Sequence, residues 1–242
     1  MIDNILNKIK QEPHWRVLFR PTEEVSIPSL GDCIAIVEKN LVSLRGWNYP
    51  HLSRDGKKRE HDNNYFASWA DLSSYEYWRL YLSGQFIHLF RVEEYCNTEY
   101  ANQLKSNINI YLSNSERNEL KNIKGFISIT NVIYKMTEIF EFARRLSNTE
   151  YFKSSIEIEI SLDLKGLTFA LSDTKKVIYE IYKNPGKVLK YTNTLEKKSL
   201  PNEAANLSFK GMISFFQQFG WINVPEKIIK EDQEDFLAGR VR

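Results

Sequence analysis

Tyr65-Phe-Ala-Ser-Trp-Ala-Asp-Leu72, Tyr75-Glu-Tyr-Trp-Arg-Leu-Tyr-Leu82 and Gln85-Phe-Ile-His-Leu-Phe-Arg-Val-Glu93 are three consecutive aromatic-rich runs, each of ordinary strand length. Aromatic side chains fit a pleated, half-buried surface. Ser83-Gly84 supplies a tight turn between the last two runs, because glycine enters the left-handed backbone region at little steric cost. The stretch predicts a three-stranded antiparallel meander. Side chains two apart point the same way along a strand, so Trp69, Trp78, Phe86 and Phe90 are expected to pack one face.

Upstream, Ile5, Leu6 and Ile9 give residues 3–11 one apolar side, a short helix stopped by Pro13. Trp15 to Arg20 alternates as a strand and ends at Pro21. Ser29 can cap a helix running to about Asn40, with Leu30, Cys33, Ile34, Val37 and Leu41 at helical spacing. Val42 to Trp47 reads as a further strand that leaves through Asn48, Tyr49 and Pro50. Residues 51–64 are polar and turn-rich, an expected exposed loop.

Downstream, many Asn and Ser residues interrupt weak helical patterning over 97–125. Ser128 to Leu146 is strongly helical, with Val132, Ile133, Met136, Ile139, Phe140, Ala143 and Leu146 in one stripe. Ser155 to Asp163 alternates, placing Ile156, Ile158, Ile160 and Leu162 inward and Glu157, Glu159 and Asp163 outward. Lys165-Gly166 turns into Leu167 to Leu171, which predicts a hairpin. Val177 to Tyr182 and Val188 to Tyr191 read as short strands, or as a helix followed by a strand. A helix from about Asn202 to Phe219 ends at Gly220, and a last helix follows Pro225.

These elements predict an α+β fold. An antiparallel sheet, built from an N-terminal strand–helix–strand and the aromatic meander, packs with helices and is followed by a helix–hairpin–helix half. The expected organisation is a sheet-rich stretch 1–96, an irregular connection 97–125 and a C-terminal half 126–242. One fused unit is the alternative.

With 42% hydrophobic and 26% charged residues among 242, the chain has material for a large core. Its 33 basic and 31 acidic side chains give a net charge of +2, too balanced for a duplex-DNA coat, so nucleic-acid contact would need a local patch. The two cysteines, Cys33 and Cys96, sit among apolar neighbours and are expected as reduced, buried thiols. The first residues lack a basic start and an apolar run of signal length. No apolar run approaches the ~18 residues of a membrane span. The expected setting is cytoplasmic, with no membrane partner.

The four histidines, His14, His51, His61 and His88, show no close-spaced ligand pair. His51, His61 and Asp62 could meet across one loop, but no metal or other cofactor is predicted. Glu157, Glu159, Asp163 and Lys165 superficially match the carboxylates and lysine of a metal-dependent nuclease, although alternation puts the glutamates on a wet sheet face. No phosphate-binding glycine loop or nucleophile elbow occurs, and no catalytic residue is assigned. Lys57, Lys58 and Arg59, with Arg45 upstream and Trp47 and Tyr49 as stacking surfaces, form the best basic patch. In Arg45-Gly46-Trp47, the glycine permits close backbone approach or a bulge. The structural expectation is that Trp47 plugs the sheet against Trp69 or Trp78.

Val42-Ser-Leu-Arg-Gly-Trp-Asn-Tyr-Pro-His51 followed by Glu76-Tyr-Trp-Arg-Leu-Tyr-Leu-Ser-Gly-Gln-Phe-Ile-His88 resembles a bacterial module that in some proteins accompanies a Schlafen/AlbA-like DNA-binding domain. The likeness covers residues ~14–92 and, loosely, the end of the helix at Phe140 to Leu146. This chain lacks a separate AlbA-like domain, so DNA binding does not carry over, and the resemblance implies no reaction. It implies a sensing or interaction part of a multi-component bacterial system, with anti-phage defence as an analogy.

The 13% aromatic content points the same way, since exposed rings favour interfaces. The leading expectation is a non-enzymatic interaction subunit bound to a partner protein or to a second copy of itself. Arg45, Trp47, Tyr49, His51, Lys57, Lys58, Arg59, Trp69 and Trp78 are its contact residues. The alternatives are a nucleic-acid-contacting module on the Arg45 and Lys57–Arg59 loop, and a metal nuclease.

Overall fold

The computed structural model describes residues 2–71, 75–110 and 112–240. Helix α1 (Ile2–Gln11) leads into strand β1 (His14–Pro21), followed by α2 (Leu30–Asn40). Ser29 caps α2 by accepting from the Asp32 N–H, one of the donors that a helix start leaves free. Strands β2 (Arg59–His61), β3 (Tyr65–Asp71), β4 (Tyr75–Tyr81) and β5 (Phe86–Arg91) come next, then α3 (Glu93–Cys96), α4 (Thr98–Asn109) and α5 (Asn114–Leu120). Strand β6 (Gly125–Ser128) enters the long helix α6 (Ile129–Ser147). The chain continues through β7 (Ile156–Asp163), β8 (Phe169–Ser172), β9 (Lys183–Asn184) and β10 (Leu189–Leu195), and then α7 (Leu200–Gln217) and α8 (Glu226–Leu237).

The fold is α+β, with an antiparallel sheet packed by helices. Seven strands form the main sheet in the order β10-β7-β1-β5-β4-β3-β2. β1 sits inside it, pairing Trp15 with Phe90 of β5 on one side and Val17 with Ile160 of β7 on the other. The sheet thus takes strands from both sides of 97–125. A smaller sheet, β6-β8-β9, joins β6 and β8 in parallel.

One face of the main sheet, here called inner, is covered by α6. Phe142 of α6 packs on Phe19 and Phe86, and the predicted stripe from Val132 to Leu146 is buried. Each such side chain contributes roughly 1.5–3 kcal/mol through burial. On the outer face α1 covers only a patch, where Ile5 and Ile9 meet Ala67, Trp69, Tyr77 and Leu89.

Several expectations are corrected. Trp78, Phe86 and Phe90 share the inner face, but Trp69 does not. Ser68 lies opposite Trp78 in the register, so the pleat turns Trp69 outward onto α1. Leu72, the predicted end of the first meander strand, lies outside the described residues. Val42 to Trp47 is not a strand. Val42 and Tyr49 make a single bridge around a loop in which Gly46 takes a φ of 75°.

The Lys165-Gly166 turn connects β7 to β8, but the two lie in different sheets and form no hairpin with each other. Both edges of β7 are already taken, by β1 and β10. Residues 97–125 hold two helices rather than an irregular connection. Two of the Asn and Ser residues that break the periodicity act as caps: Asn97 accepts from Tyr100 N–H, and Ser113 forms a capping box with Glu116. Val177 to Tyr182 adopts neither helix nor strand.

Candidate functional site

The inner face is not apolar throughout. Alternation along β4 sends Glu76 inward with Trp78 and Leu80, and along β5 sends His88 inward between Phe86 and Phe90. Lys135 and Glu138, one turn apart on α6, approach the same place from above. The loop Val42–His51 closes over the side. Together these elements enclose a cleft of about 290 Å³, lined by Glu76, His88, Phe90, Lys135, Glu138 and the loop residues Arg45, Trp47, Asn48 and Tyr49, with Ala70, Arg91 and Glu93.

Part of the charge in this cleft is paired by direct contact. Arg45 donates from Nε and Nη2 to the two Glu138 oxygens at 3.0 and 2.9 Å, a bidentate fork on a side chain only 1% exposed. Burial pushes the Glu138 carboxyl up, and Arg45 pulls against that shift. The Tyr49 hydroxyl and His88 Nδ1 are 3.1 Å apart. His88 is also 1% exposed. Its Nε2 lies 3.0 Å from Glu76 Oε1, at an angle that falls short of a directed hydrogen bond.

Burial, with Glu76 and Glu138 nearby, pushes the Tyr49 hydroxyl well above its ordinary value, so it stays protonated beside His88. Burial acts to raise Glu76 as well, but His88 and the His51 amide outweigh it and hold the carboxyl below the usual range. Glu76 accepts from His51 N–H at 2.7 Å, and Trp78 Nε1 donates to His51 O at 2.7 Å. The sheet therefore grips the loop by its backbone. At the rim, Trp47 stacks on the His51 ring with centroids 4.4 Å apart and remains 42% exposed.

A second buried acidic pair lies at the α6 N-terminus. Glu94 accepts from Ser128 N–H and the Asn131 side chain, and Asp173 accepts from Thr130 N–H and Ser128 Oγ. These contacts satisfy the free donors and the positive end of the helix dipole.

Arg45, Trp47 and Tyr49 meet at the cleft, with His51 anchored beside it. Trp78 supports the loop from below, and Trp69 lies across the sheet on α1. Trp47 stacks on His51, not on either sheet tryptophan. Lys58 pairs with Asp71, and Arg59 donates to Ser53 O at 2.8 Å. Lys57 is exposed near the β2 edge. Arg45 is held on Glu138 and forms no joint basic patch with them.

On the outer face, Glu159 bridges Arg16 and Lys190 at 2.6 and 2.7 Å, and Asp163 pairs with Lys165 at 2.9 Å. Among the described residues, no group of three or more His, Cys, Asp or Glu side chains is placed to hold a metal ion.

Reading from sequence missed Glu76, His88, Lys135 and Glu138 as site residues. Each is a polar residue at or beside an inward position of an otherwise apolar pattern, a local signal too weak to single them out before the elements are packed together. Most aromatic residues serve the core. Trp47, Tyr95 and Tyr179 are the exposed ones among the described residues. Comparisons with protein-family models, with curated proteins and with solved structures find no match to this chain.

Proposed function

We propose that this chain is a sensing or interaction subunit whose inner-face cleft binds a small polar ligand and passes that event to a partner protein. The observation that carries the reading is ionisable side chains gathered in a place where apolar ones would be more stable. Lys135, Glu138 and His88 are each at least nine-tenths buried and line one cavity of about 290 Å³. Buried charge is costly unless paired, and replacing it with apolar residues is commonly neutral or stabilising. A concave site with apolar walls and a few convergent polar groups is the usual form of a ligand site.

A sensing role fits the loop Val42–His51, which forms one wall of the cleft, carries the exposed Trp47 and is tied to the sheet through His51. An occupant would touch this loop directly and could alter the surface it shows a partner. The setting we infer is a cytoplasmic, bacterial multi-protein system, with phage defence as the analogy the sequence resemblance offers. Among the described residues no helix is long and apolar enough to cross a membrane. The nucleic-acid reading has less support, because Arg45, Lys58 and Arg59 are engaged within the protein.

The test is a thermal-shift screen of nucleotides, amino acids and small organic acids, repeated on Ala70→Trp, which fills the cleft from β3. The expected result is a ligand that raises the Tm of the native chain and leaves the folded variant unmoved. Identical shifts for both proteins across the panel would remove the cleft as the binding site.

A further inference from the structure

The cations of the cleft are not equivalent. Arg45 is neutralised by Glu138, and Arg91 by Glu12. Lys135 has no ion pair and no hydrogen bond among the described residues, yet it is only 9% exposed. Its ammonium lies 5.0 Å from the centre of the Phe90 ring and borders the cavity. A cation–π contact recovers part of the lost hydration, but an ammonium has three donors and the ring face is a weak acceptor.

The acidic groups acting on Lys135 at longer range are committed elsewhere. Glu138 holds Arg45, and Glu94 accepts from Ser128 N–H and Asn131. Burial also pushes the Glu94 carboxyl up toward its neutral form, which weakens it as a counter-ion. Glu76 is turned to His88 and the His51 amide. Glu93 lines the same cavity, is half-buried and makes no ion pair among the described residues. It favours a donor rather than an anion at its own end.

We propose that Lys135 receives the anionic group of the ligand, a carboxylate or phosphate carried on a small planar ring. This rests on the reading of the cleft as a ligand site. The anion supplies the counter-charge that the fold withholds from Lys135. The ring lies against the apolar walls made by Phe90, Tyr49 and Trp47. Among largely buried groups, a charge-assisted hydrogen bond is stronger than its counterpart in water and gives the site its selectivity.

Phenyl phosphate, benzoate and benzyl alcohol, titrated calorimetrically into the native chain, Lys135→Met, Lys135→Arg and Ala70→Trp, test the assignment. Methionine keeps most of the length, and with it apolar contact with Phe90, while removing the charge. At least one of the two anions is expected to bind the native chain and to lose about ten- to hundredfold in Lys135→Met. Lys135→Arg should retain most of the affinity. Benzyl alcohol should bind more weakly and equally to the native chain and Lys135→Met.

Which anion binds tighter separates a phosphate ligand from a carboxylate. Anion binding that Ala70→Trp abolishes and Lys135→Met leaves intact would overturn the role of Lys135 while sparing the cleft. Binding untouched by either change would sink both readings. Absence of saturable binding by either anion would also overturn the assignment.

Discussion

The two faces of the main sheet carry charge in opposite ways. On the outer face, Arg16, Glu159 and Lys190 form a cross-strand ion-pair chain whose members remain partly in water. On the inner face, Glu138 meets Arg45 with 1% exposure and a bidentate fork. Outer pairs gain little, because solvent screens them and long side chains lose freedom in holding one geometry. Inner pairs cannot fall back on water, so removing one partner strands the other. The contrast separates charge that solubilises a sheet from charge retained at a cost to stability, and only the second kind marks a site.

The largest effect should come from the inner pair. Arg45→Ala leaves Glu138 buried without its partner and should cost about 3–5 kcal/mol in urea unfolding at pH 7. Glu138 titrates above its unfolded value, so this deficit should shrink as acid protonates the carboxyl. The double change Arg45→Leu with Glu138→Leu should recover the loss in full or exceed it. A double variant as unstable as the single one would mean that shape, not charge, governs this contact.

His14, at the end of β1 on the outer face, comes next. Burial, with Lys165 close by, lowers its pKa from 6.5 to about 4. The unfolded chain therefore takes up a proton between those values while the folded chain does not. Stability present above pH 6.5 should decline toward pH 4, by about 2 kcal/mol once solvent screening of the exposed lysines is allowed for. His14→Gln should flatten that part of the pH profile, and an unchanged slope would assign it to other groups.

Lys135→Met should raise stability without ligand by roughly 1 kcal/mol, because it removes a buried charge that has no counter-ion among the described residues. A clear loss in unfolding free energy would show that the ammonium is better satisfied than its contacts indicate. Smallest of all, Glu159→Ala should change stability by less than about 1 kcal/mol, an effect that added salt should erase. A cost matching that of Arg45→Ala would erase the distinction between the faces.

Much of this architecture could be read from residue patterns. The meander, the Ser29 cap, the stripe of α6 and the alternation of β7 follow from local periodicity and capping chemistry, which survive folding largely unchanged. Partners of β7 did not follow, because strand pairing depends on which edges are free, and Lys165-Gly166 looks the same whether or not its flanking strands pair. Trp69 was misplaced because parity along a strand must be carried across an uncertain turn, and one residue reverses the face.

Three site residues on the Val42–His51 loop were legible from composition. Their counterparts Glu76, His88, Lys135 and Glu138 were not, because they lie on three elements and look unremarkable until the sheet and α6 are brought together.

The position of β1 also sets a constraint during synthesis. His14 to Pro21 must find one neighbour about 70 residues later in β5 and another about 140 residues later in β7. At ribosomal speeds of roughly 5–20 residues per second, that second edge waits on the order of 10–30 seconds for its mate. Throughout that interval a nascent chain displays an apolar ribbon with unpaired amide groups, the kind of template on which neighbouring chains tangle. Expression yield should therefore respond to translation rate and chaperone supply more than to the stability of the finished protein.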